Sequence, residues 1–206
     1  MPDTVTPPQG RAEEILQAAA RVFRERGYHG GTLEEVGARL GITRAALYYY
    51  FRNKQAVLAE LLTRAMHVGV ADLEAAIASS DDPEEQLTTA IASLIDLIAR
   101  ERDIFTIYFQ ENEAVMSAAG EESRRLEEQY AQRFTGLVRE VLDARGVEGA
   151  DAGVIARGLL GMCNWTYRWL RPGGPLSPRD VATQWSAVFS LHQRRSLPAR
   201  RSSARR

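Results

Sequence analysis

The sequence predicts an all-α protein, and three observations lead to this prediction. Apolar residues recur at spacings of three and four along almost the whole chain, as on the inner face of an amphipathic helix. Asn-Gly hairpin turns are absent, and no segment sustains the two-residue alternation of a strand. Gly, Pro and capping residues divide the pattern into about nine helices. With 206 residues the chain can hold one large domain, or a small domain joined to a larger one.

The composition excludes several classes of protein. Hydrophobic residues make up 45% and charged residues 26%, the balance of an ordinary globular protein. No window approaches the run of about 18 apolar residues that a membrane span needs, and the N-terminus lacks the layout of a signal peptide. Cys163 is the only cysteine, and the three histidines are far apart in sequence. We expect a cytoplasmic protein without membrane span, disulfide, metal or other cofactor.

The N-terminal part predicts three short helices. Residues 1–10 are predicted to be a disordered tail and residues 11–53 a DNA-binding domain. Helix one starts at Arg11 and stops at Gly27, and Thr32 caps helix two, which ends at Gly41. The inner face of helix one carries Ile15, Ala18, Ala19, Val22 and Phe23, and that of helix two carries Leu33, Val36 and Leu40.

Helix three, from Arg44 to Phe51, is capped by Thr43 and completes a helix-turn-helix pattern. Gly41 permits the turn, and Gly37 leaves room for the two helices to cross. Leu47 and Phe51, four residues apart, share the inner face, and Tyr50 lies at its edge. The outer face carries Arg44, Ala45, Tyr48 and Tyr49.

Longer helices predict a second domain over residues 54–193. One helix runs from Lys54 toward Ser79, and after a break at Asp81-Asp82-Pro83 another contains Leu87 to Ile98. A short apolar element follows at 104–109, and three further helices are predicted near 121–144, 152–170 and 179–191. Residues 194–206 contain six arginines and no acidic residue, and are predicted to be a basic disordered tail.

The row of tyrosines in helix three suggests contact with a duplex. Tyr48 and Tyr49 point outward, where phenols donate to phosphates and contact thymine methyl groups, while Arg44 reaches base edges. Lys54, the only lysine, begins a long helix whose N-terminal N–H groups favour phosphate. The alternative is that these aromatic side chains form core or a dimer interface.

Residues 11–62, and above all T-L-E-E-V-G-A-R-L-G-I-T-R-A-A-L-Y-Y-Y-F-R-N-K-Q-A-V-L, resemble the N-terminal domain of the TetR/AcrR family of bacterial repressors. The resemblance implies a homodimer that binds a palindromic double-stranded DNA operator. Glu34 and Glu35 are acidic where some relatives carry a basic base-reading residue, which implies that helix two contributes little readout. The implied DNA-binding residues are Thr32, Thr43, Arg44, Ala45, Tyr48, Tyr49, Tyr50 and Lys54.

The resemblance also implies that the last two helices form a dimer interface and that the second domain binds an effector. Gly158 and Gly161 allow close helix approach, and Trp185, Val188 and Phe189 form an apolar stripe. Packing within one subunit is the alternative. An apolar effector cavity is predicted to be lined by Leu94, Ile98, Phe105, Tyr108, Phe109, Met116, Tyr130, Phe134, Met162, Trp165 and Trp169.

The segment G-M-C-N-W-T-Y-R-W-L-R-P-G-G-P-L-S resembles the branch of this family that responds to acyl-CoA thioesters of fatty acid or steroid breakdown. On this interpretation Arg168 or Arg171 meets the CoA phosphates. The predicted function is a repressor released from its operator by such an effector. A repressor that senses another apolar molecule for an efflux or catabolic operon, and an effector-independent DNA-binding protein or helical adaptor, remain alternatives.

An enzyme is the other class of function considered. The sequence contains no phosphate-binding G-x-x-x-x-G-K motif and no G-x-G-x-x-G motif after a strand. No histidine lies near Cys163 in sequence, and Glu111 and Glu113 diverge on a helix because they are two residues apart. The sequence therefore predicts that the protein is not an enzyme.

Overall fold

The computed structural model describes residues 9–111, 115 and 117–190, without the side chains of Gln9 and residues 188–190. The described residues form nine α-helices, which confirms the predicted all-α fold. In chain order these are α1 Gln9–Gly30, α2 Leu33–Leu40, α3 Arg44–Tyr50, α4 Lys54–Ile77, α5 Pro83–Arg100, α6 Arg102–Gln110, α7 Glu121–Ala144, α8 Ala152–Trp169 and α9 Pro178–Ser190.

Helices α1–α3 form the head of the molecule. The predicted apolar face of α1 is buried, with Ile15, Val22 and Phe23 at most 1% exposed. Helix α1 begins two residues before the predicted boundary and continues past Gly27 to Gly30. At Gly27 the backbone leaves the helical region, with φ 71° and ψ 157°, so the predicted stop is a kink within α1.

The turn between α2 and α3 has the geometry that its sequence predicts. Gly41 ends α2 in the left-handed conformation, at φ 63°, which favours glycine. A Cβ atom on Gly37 would lie 3.1 Å from the carbonyl oxygen of Ile42, so glycine allows the close approach of α2 to the turn. The two glycines therefore help to set the angle between α2 and α3.

Helices α4, α5, α7, α8 and α9 form the body of the molecule. Asn53 caps α4 by accepting a hydrogen bond from the Ala56 N–H at 2.7 Å, and Asp82 caps α5 ahead of Pro83. Helix α4 packs against both α5 and α7, while α5 also contacts α8 and α9. The body core thus lies between α5 and the helices around it.

Helix α6 contributes to the cores of both head and body. Ile104 and Ile107 are buried in the head core, whereas Phe105 is buried in the body core. An ion pair of 2.9 Å between Arg24 and Asp103 also joins α1 to α6. The first half of α4 is also buried in the head core and its second half in the body core, so α4 and α6 together pack the two parts of the molecule against each other.

Candidate functional site

The outward face of α3 is the first candidate site. Leu47 is 1% exposed in the head core, whereas Tyr48 and Tyr49 are 38% and 58% exposed. Tyr50 is half-buried against the head core, with its ring edge-on to that of Tyr49 at a centroid distance of 5.3 Å. The burial of Leu47 therefore fixes the register in which two phenol side chains face outward.

Both predicted threonine caps are present beside this face. The Thr32 hydroxyl accepts a hydrogen bond from the Glu35 N–H at 3.2 Å, and the Glu35 carboxylate accepts one from the Thr32 N–H at 3.1 Å. The Thr43 hydroxyl accepts a hydrogen bond from the Ala46 N–H at 3.2 Å. Ala45 is exposed in the first turn of α3. The threonines thus hold the starts of α2 and α3 in place.

Arg44 lies between an acidic side chain and an aromatic ring. Its Nε atom is 3.3 Å from Oε1 of Glu34 in the first turn of α2. Its guanidinium carbon lies 5.2 Å from the centroid of the Tyr48 ring. The side chains of Arg44 and Glu34 are 71% and 49% exposed, so the pair lies on the outer surface.

Lys54, which the sequence predicts to contact phosphate, lies against backbone carbonyl oxygens at the end of α1 and just beyond it. Its ammonium donates to the backbone carbonyl oxygens of Tyr28, His29 and Gly31 at 2.6, 3.2 and 2.9 Å. An ammonium has three N–H donors, and these three acceptors match that number. Burial lowers the pKa of Lys54, while the Glu111 carboxylate acts in the opposite direction. The geometry assigns Lys54 to closing the C-terminal end of α1.

Several residues predicted to line an effector cavity are packed against one another. Phe134 is fully buried and stacks on Tyr130 at 6.2 Å between ring centroids. Burial raises the pKa of the Tyr130 phenol well above its usual value. These side chains therefore belong to the packing of the body core. The predicted residues that pack in this way are Leu94, Ile98, Phe105, Tyr130 and Phe134.

Tyr108 and Phe109 do line a cavity, which has a volume of about 560 Å³ and lies between α4, α6 and α7. The Tyr108 hydroxyl donates to Oε1 of Glu127 at 2.8 Å, and burial together with this carboxylate raises the pKa of the phenol. The volume is within the range of small-molecule sites. Other residues of the wall are Leu62, Ala119, Ser123, Arg124 and Ala131.

Met162, Trp165 and Trp169, which the sequence predicts to line a cavity, do not belong to the wall of the cavity beside Tyr108 and Phe109. Their side chains are 40%, 58% and 43% exposed on the outer face of α8. Leu159 and Cys163 occupy the opposite, inner face, where they are at most 1% exposed. Gly158 and Gly161 are exposed, and a Cβ atom on either would meet no heavy atom within 4 Å. We call Gly158, Gly161, Met162, Trp165 and Trp169 the α8 stripe.

Arg168 is exposed, but aromatic contacts connect it to the cavity. Its guanidinium carbon lies 5.2 Å from the Trp165 ring centroid and 5.7 Å from that of Tyr167. Tyr167 in turn contacts the cavity residue Phe109, with ring centroids 5.0 Å apart. One line of side chains thus leads from the cavity wall to a surface arginine.

Of the remaining predicted residues, Trp185 is half-buried and packs against the body core. The side chains of Val188 and Phe189 lie outside the described residues, as does Met116. The described ranges contain no helix long and apolar enough to cross a membrane. Within the same ranges, no group of three or more His, Cys, Asp or Glu side chains is arranged to hold a metal ion.

Sequence reasoning missed two features of these sites. The first is the ion pair of Glu34 and Arg44, which lie at the starts of two crossing helices and carry opposite charges. It was missed because α2 was expected to contribute little to DNA readout. The polar part of the cavity wall, Arg124 and Glu127, gave no signal, because charged residues on a long amphipathic helix usually face solvent.

The geometry defines a helix-turn-helix DNA-binding protein: a short head presents α3, and a larger helical body carries a cavity. Comparison with protein families agrees with this description. Residues 15–61 match the family described as bacterial regulatory proteins, tetR family, and residues 80–191 match the tetracyclin repressor-like C-terminal domain. The chain belongs to the TetR family, and it is a ligand-responsive transcriptional regulator rather than an enzyme.

Similarity to known proteins extends over nearly the whole chain. The transcriptional repressor KstR2 of Mycolicibacterium smegmatis is 26% identical over 189 residues, which cover 91% of this chain and 92% of KstR2. The structure of the ketosteroid regulator KstR2 of Mycobacterium tuberculosis has a TM-score of 0.76 at 24% identity, covering 88% of this chain and 93% of that one. AibR, solved with isovaleryl coenzyme A and operator DNA, has a TM-score of 0.73 at 24% identity, covering 86% and 97%.

Proposed function

We propose that this regulator is a homodimeric repressor that binds a palindromic operator through α3 and is released by a CoA thioester. The observation that carries the DNA-binding part is the register of α3. Leu47 is buried, and the opposite face presents Arg44, Tyr48 and Tyr49. A helix with this exposed chemistry, following a tight turn, fits the major groove.

The test of operator binding is selection of DNA by the full-length protein. Fragments from the region around its own gene and random fragments are offered, and the retained sequences are mapped by footprinting. A dimer with two-fold symmetry requires an inverted repeat with half-sites spaced by about 34 Å, or a multiple of that distance. A footprint without two-fold symmetry, or retention of no sequence above background, would contradict the proposal.

The α8 stripe supports a dimer. Trp165 and Trp169 expose large apolar surfaces beside two glycines, which allow a second helix to approach closely. A two-fold interface brings the same surface of both subunits together. The sequence resemblance, which implied a dimer interface on the last two helices, is compatible with this face.

Replacing Trp165 by glutamate is therefore expected to dissociate the dimer. The change removes a large apolar contact and places a charge where two copies of α8 are proposed to meet. The free energy of dimer association should therefore weaken by at least about 2 kcal/mol. Sedimentation velocity measures the state of assembly. The matched control is Val147→Glu, because Val147 is 45% exposed outside the stripe. A monomeric wild-type protein, or a W165E variant that remains dimeric, would exclude this interface.

A CoA thioester fits the chemistry around the cavity. Leu62, Tyr108 and Phe109 provide an apolar wall for an acyl group, and Arg124 lies at the same wall. Tyr167 links Phe109 to Arg168, whose permanent charge suits a phosphate. Arg171 is exposed at the end of the same segment. The complex of AibR with isovaleryl coenzyme A shows that this fold accommodates such a ligand in that protein.

Calorimetric titration with isovaleryl-CoA and longer acyl-CoA thioesters is expected to show binding to the wild-type protein. Ala131→Trp should weaken that binding at least about tenfold, because the indole takes up space in a cavity of drug-like size. Ala75→Trp, at an exposed position of α4, is the control. No binding of any thioester, with release of operator by another apolar compound, would favour a sensor of a different ligand. Insensitivity to all compounds would favour an effector-independent DNA-binding protein.

A further inference from the structure

The contact between Glu34 and Arg44 lies on the surface that is proposed to face DNA. Glu34 is in the first turn of α2, and Arg44 is the first residue of α3. The atoms in contact are Oε1 of Glu34 and Nε of Arg44, 3.3 Å apart. This ion pair bridges the two helices of the helix-turn-helix at their exposed N-terminal ends.

An acidic side chain in this place has an electrostatic cost. Phosphates repel a carboxylate, so Glu34 lowers the affinity for DNA of any sequence. The ion pair contributes little to the fold, because both side chains are exposed and water screens their attraction. The cap of α2 is supplied by Thr32 and Glu35 and does not use Glu34. An acid in the first turn of α2 is favourable for the helix, but this effect is small and does not account for the contact with Arg44.

The geometry around Arg44 indicates what the acid does. Glu34 contacts the guanidinium at Nε, and the Tyr48 ring lies 5.2 Å from its central carbon. The side chain is thus confined by a charge and by a ring, which reduces the freedom it would lose on binding. A guanidinium that is held in one orientation reads the O6 and N7 atoms of guanine with two parallel hydrogen bonds, whereas a free one also reaches phosphates.

We infer that Glu34 is a positioning residue for sequence specificity, which holds Arg44 toward a guanine and away from the phosphate backbone. Helix α2 then contributes to readout through its acidic residue, in contrast to the expectation from sequence. The inference rests on the proposed binding of α3 to an operator. According to this inference, discrimination between bases depends on Glu34, although the same residue lowers the affinity for DNA of any sequence.

The test begins with the operator selected by the wild-type protein. Each base pair is replaced in turn, and affinities are measured for the wild-type protein and for Arg44→Ala. The base pair whose replacement matters to the wild-type protein but not to Arg44→Ala is the one that Arg44 reads. Glu34→Ala is expected to reduce discrimination at that same base pair about tenfold. It is also expected to bind unrelated DNA a few-fold more tightly, because one negative charge has been removed.

Two controls separate positioning from a change of net charge. Glu25→Gln removes an acid that pairs with Arg39 in the last turn of α2 and should leave discrimination at the Arg44 base pair unchanged. In the Arg44→Ala background, Glu34→Ala should no longer alter discrimination, although it should still strengthen binding to unrelated DNA. Circular dichroism should show unchanged folding, since Glu34 is exposed.

The outcomes are distinct. If Glu34→Ala keeps the wild-type discrimination, or if its effect persists in the Arg44→Ala background, Glu34 does not act through Arg44 and the inference is overturned. If the wild-type protein selects no operator at all, the proposed function itself fails. If Glu25→Gln and Glu34→Ala reduced discrimination equally, the change in net charge alone would explain the loss. That result would also overturn the inference.

Discussion

Truncation of Leu47 to alanine is expected to lower the free energy of unfolding by about 2–5 kcal/mol, because it leaves a cavity in the head core. Leu47 is 1% exposed, and its side chain contacts the crossing of α2 and α3 near Gly37. Denaturant unfolding of the full-length protein measures the change. The midpoint should fall while the slope stays constant, as for a core truncation in a cooperative fold.

The matched variant is Tyr48→Ala in the same helix. Its side chain is 38% exposed, so the free energy of unfolding should change by less than about 1 kcal/mol. Operator affinity should fall by at least about tenfold, because a groove-facing phenol and the ring beside Arg44 are both removed. The reverse pattern, a stable Leu47→Ala that fails to bind and an unstable Tyr48→Ala, would show that the register of α3 is wrong.

Replacement of Lys54 by methionine is expected to destabilise the head by about 2 kcal/mol, because three carbonyl oxygens lose a charged donor. Methionine keeps much of the aliphatic chain beside the Tyr28 ring. In the wild-type protein the Lys54 Nζ atom lies 4.5 Å from the centroid of that ring. The expected loss is smaller than three separate hydrogen bonds would suggest. Burial of the charge, which lowers the pKa of Lys54, already offsets part of their contribution.

Thermal and denaturant unfolding of Lys54→Met would be compared with Arg52→Met. Arg52 is an exposed cation two residues away, so its removal should leave the unfolding midpoint almost unchanged. If Lys54→Met were as stable as the wild-type protein but failed to bind the operator, the phosphate contact predicted from the sequence would be the correct role. Loss of stability would instead support the closure of α1 seen in the structure.

The helix caps and the turn of the head could be predicted from the sequence, because neighbouring residues determine them. Thr32, Thr43 and Asn53 cap helices through hydrogen bonds within three residues, and Gly41 adopts a conformation that few other residues tolerate. Leu47 sets the register of α3 by the spacing of a single helix. The role of Lys54 could not be predicted in this way, since its acceptors lie 23 to 26 residues earlier in the chain.

The body was harder to predict because residue type does not reveal what covers an apolar face. Trp165 and Trp169 suit a cavity, a core and a contact between subunits equally well. Only the packing of α8 through Leu159 and Cys163 shows that the tryptophans face outward. The same packing buries the Cys163 thiol and raises its pKa to about 12, so this thiol stays protonated at neutral pH.

Helix α6, like α4, limits how freely the head of this protein could be replaced by that of a relative. Ile104 and Ile107 fit side chains of the head, while Phe105 fits those of the body. In a chimera that joined the head of another protein to this body, Ile104 and Ile107 would pack against side chains of a different shape. A functional hybrid therefore needs an α6 that packs well on both sides. One face must fit the head core, and the other must fit the body core.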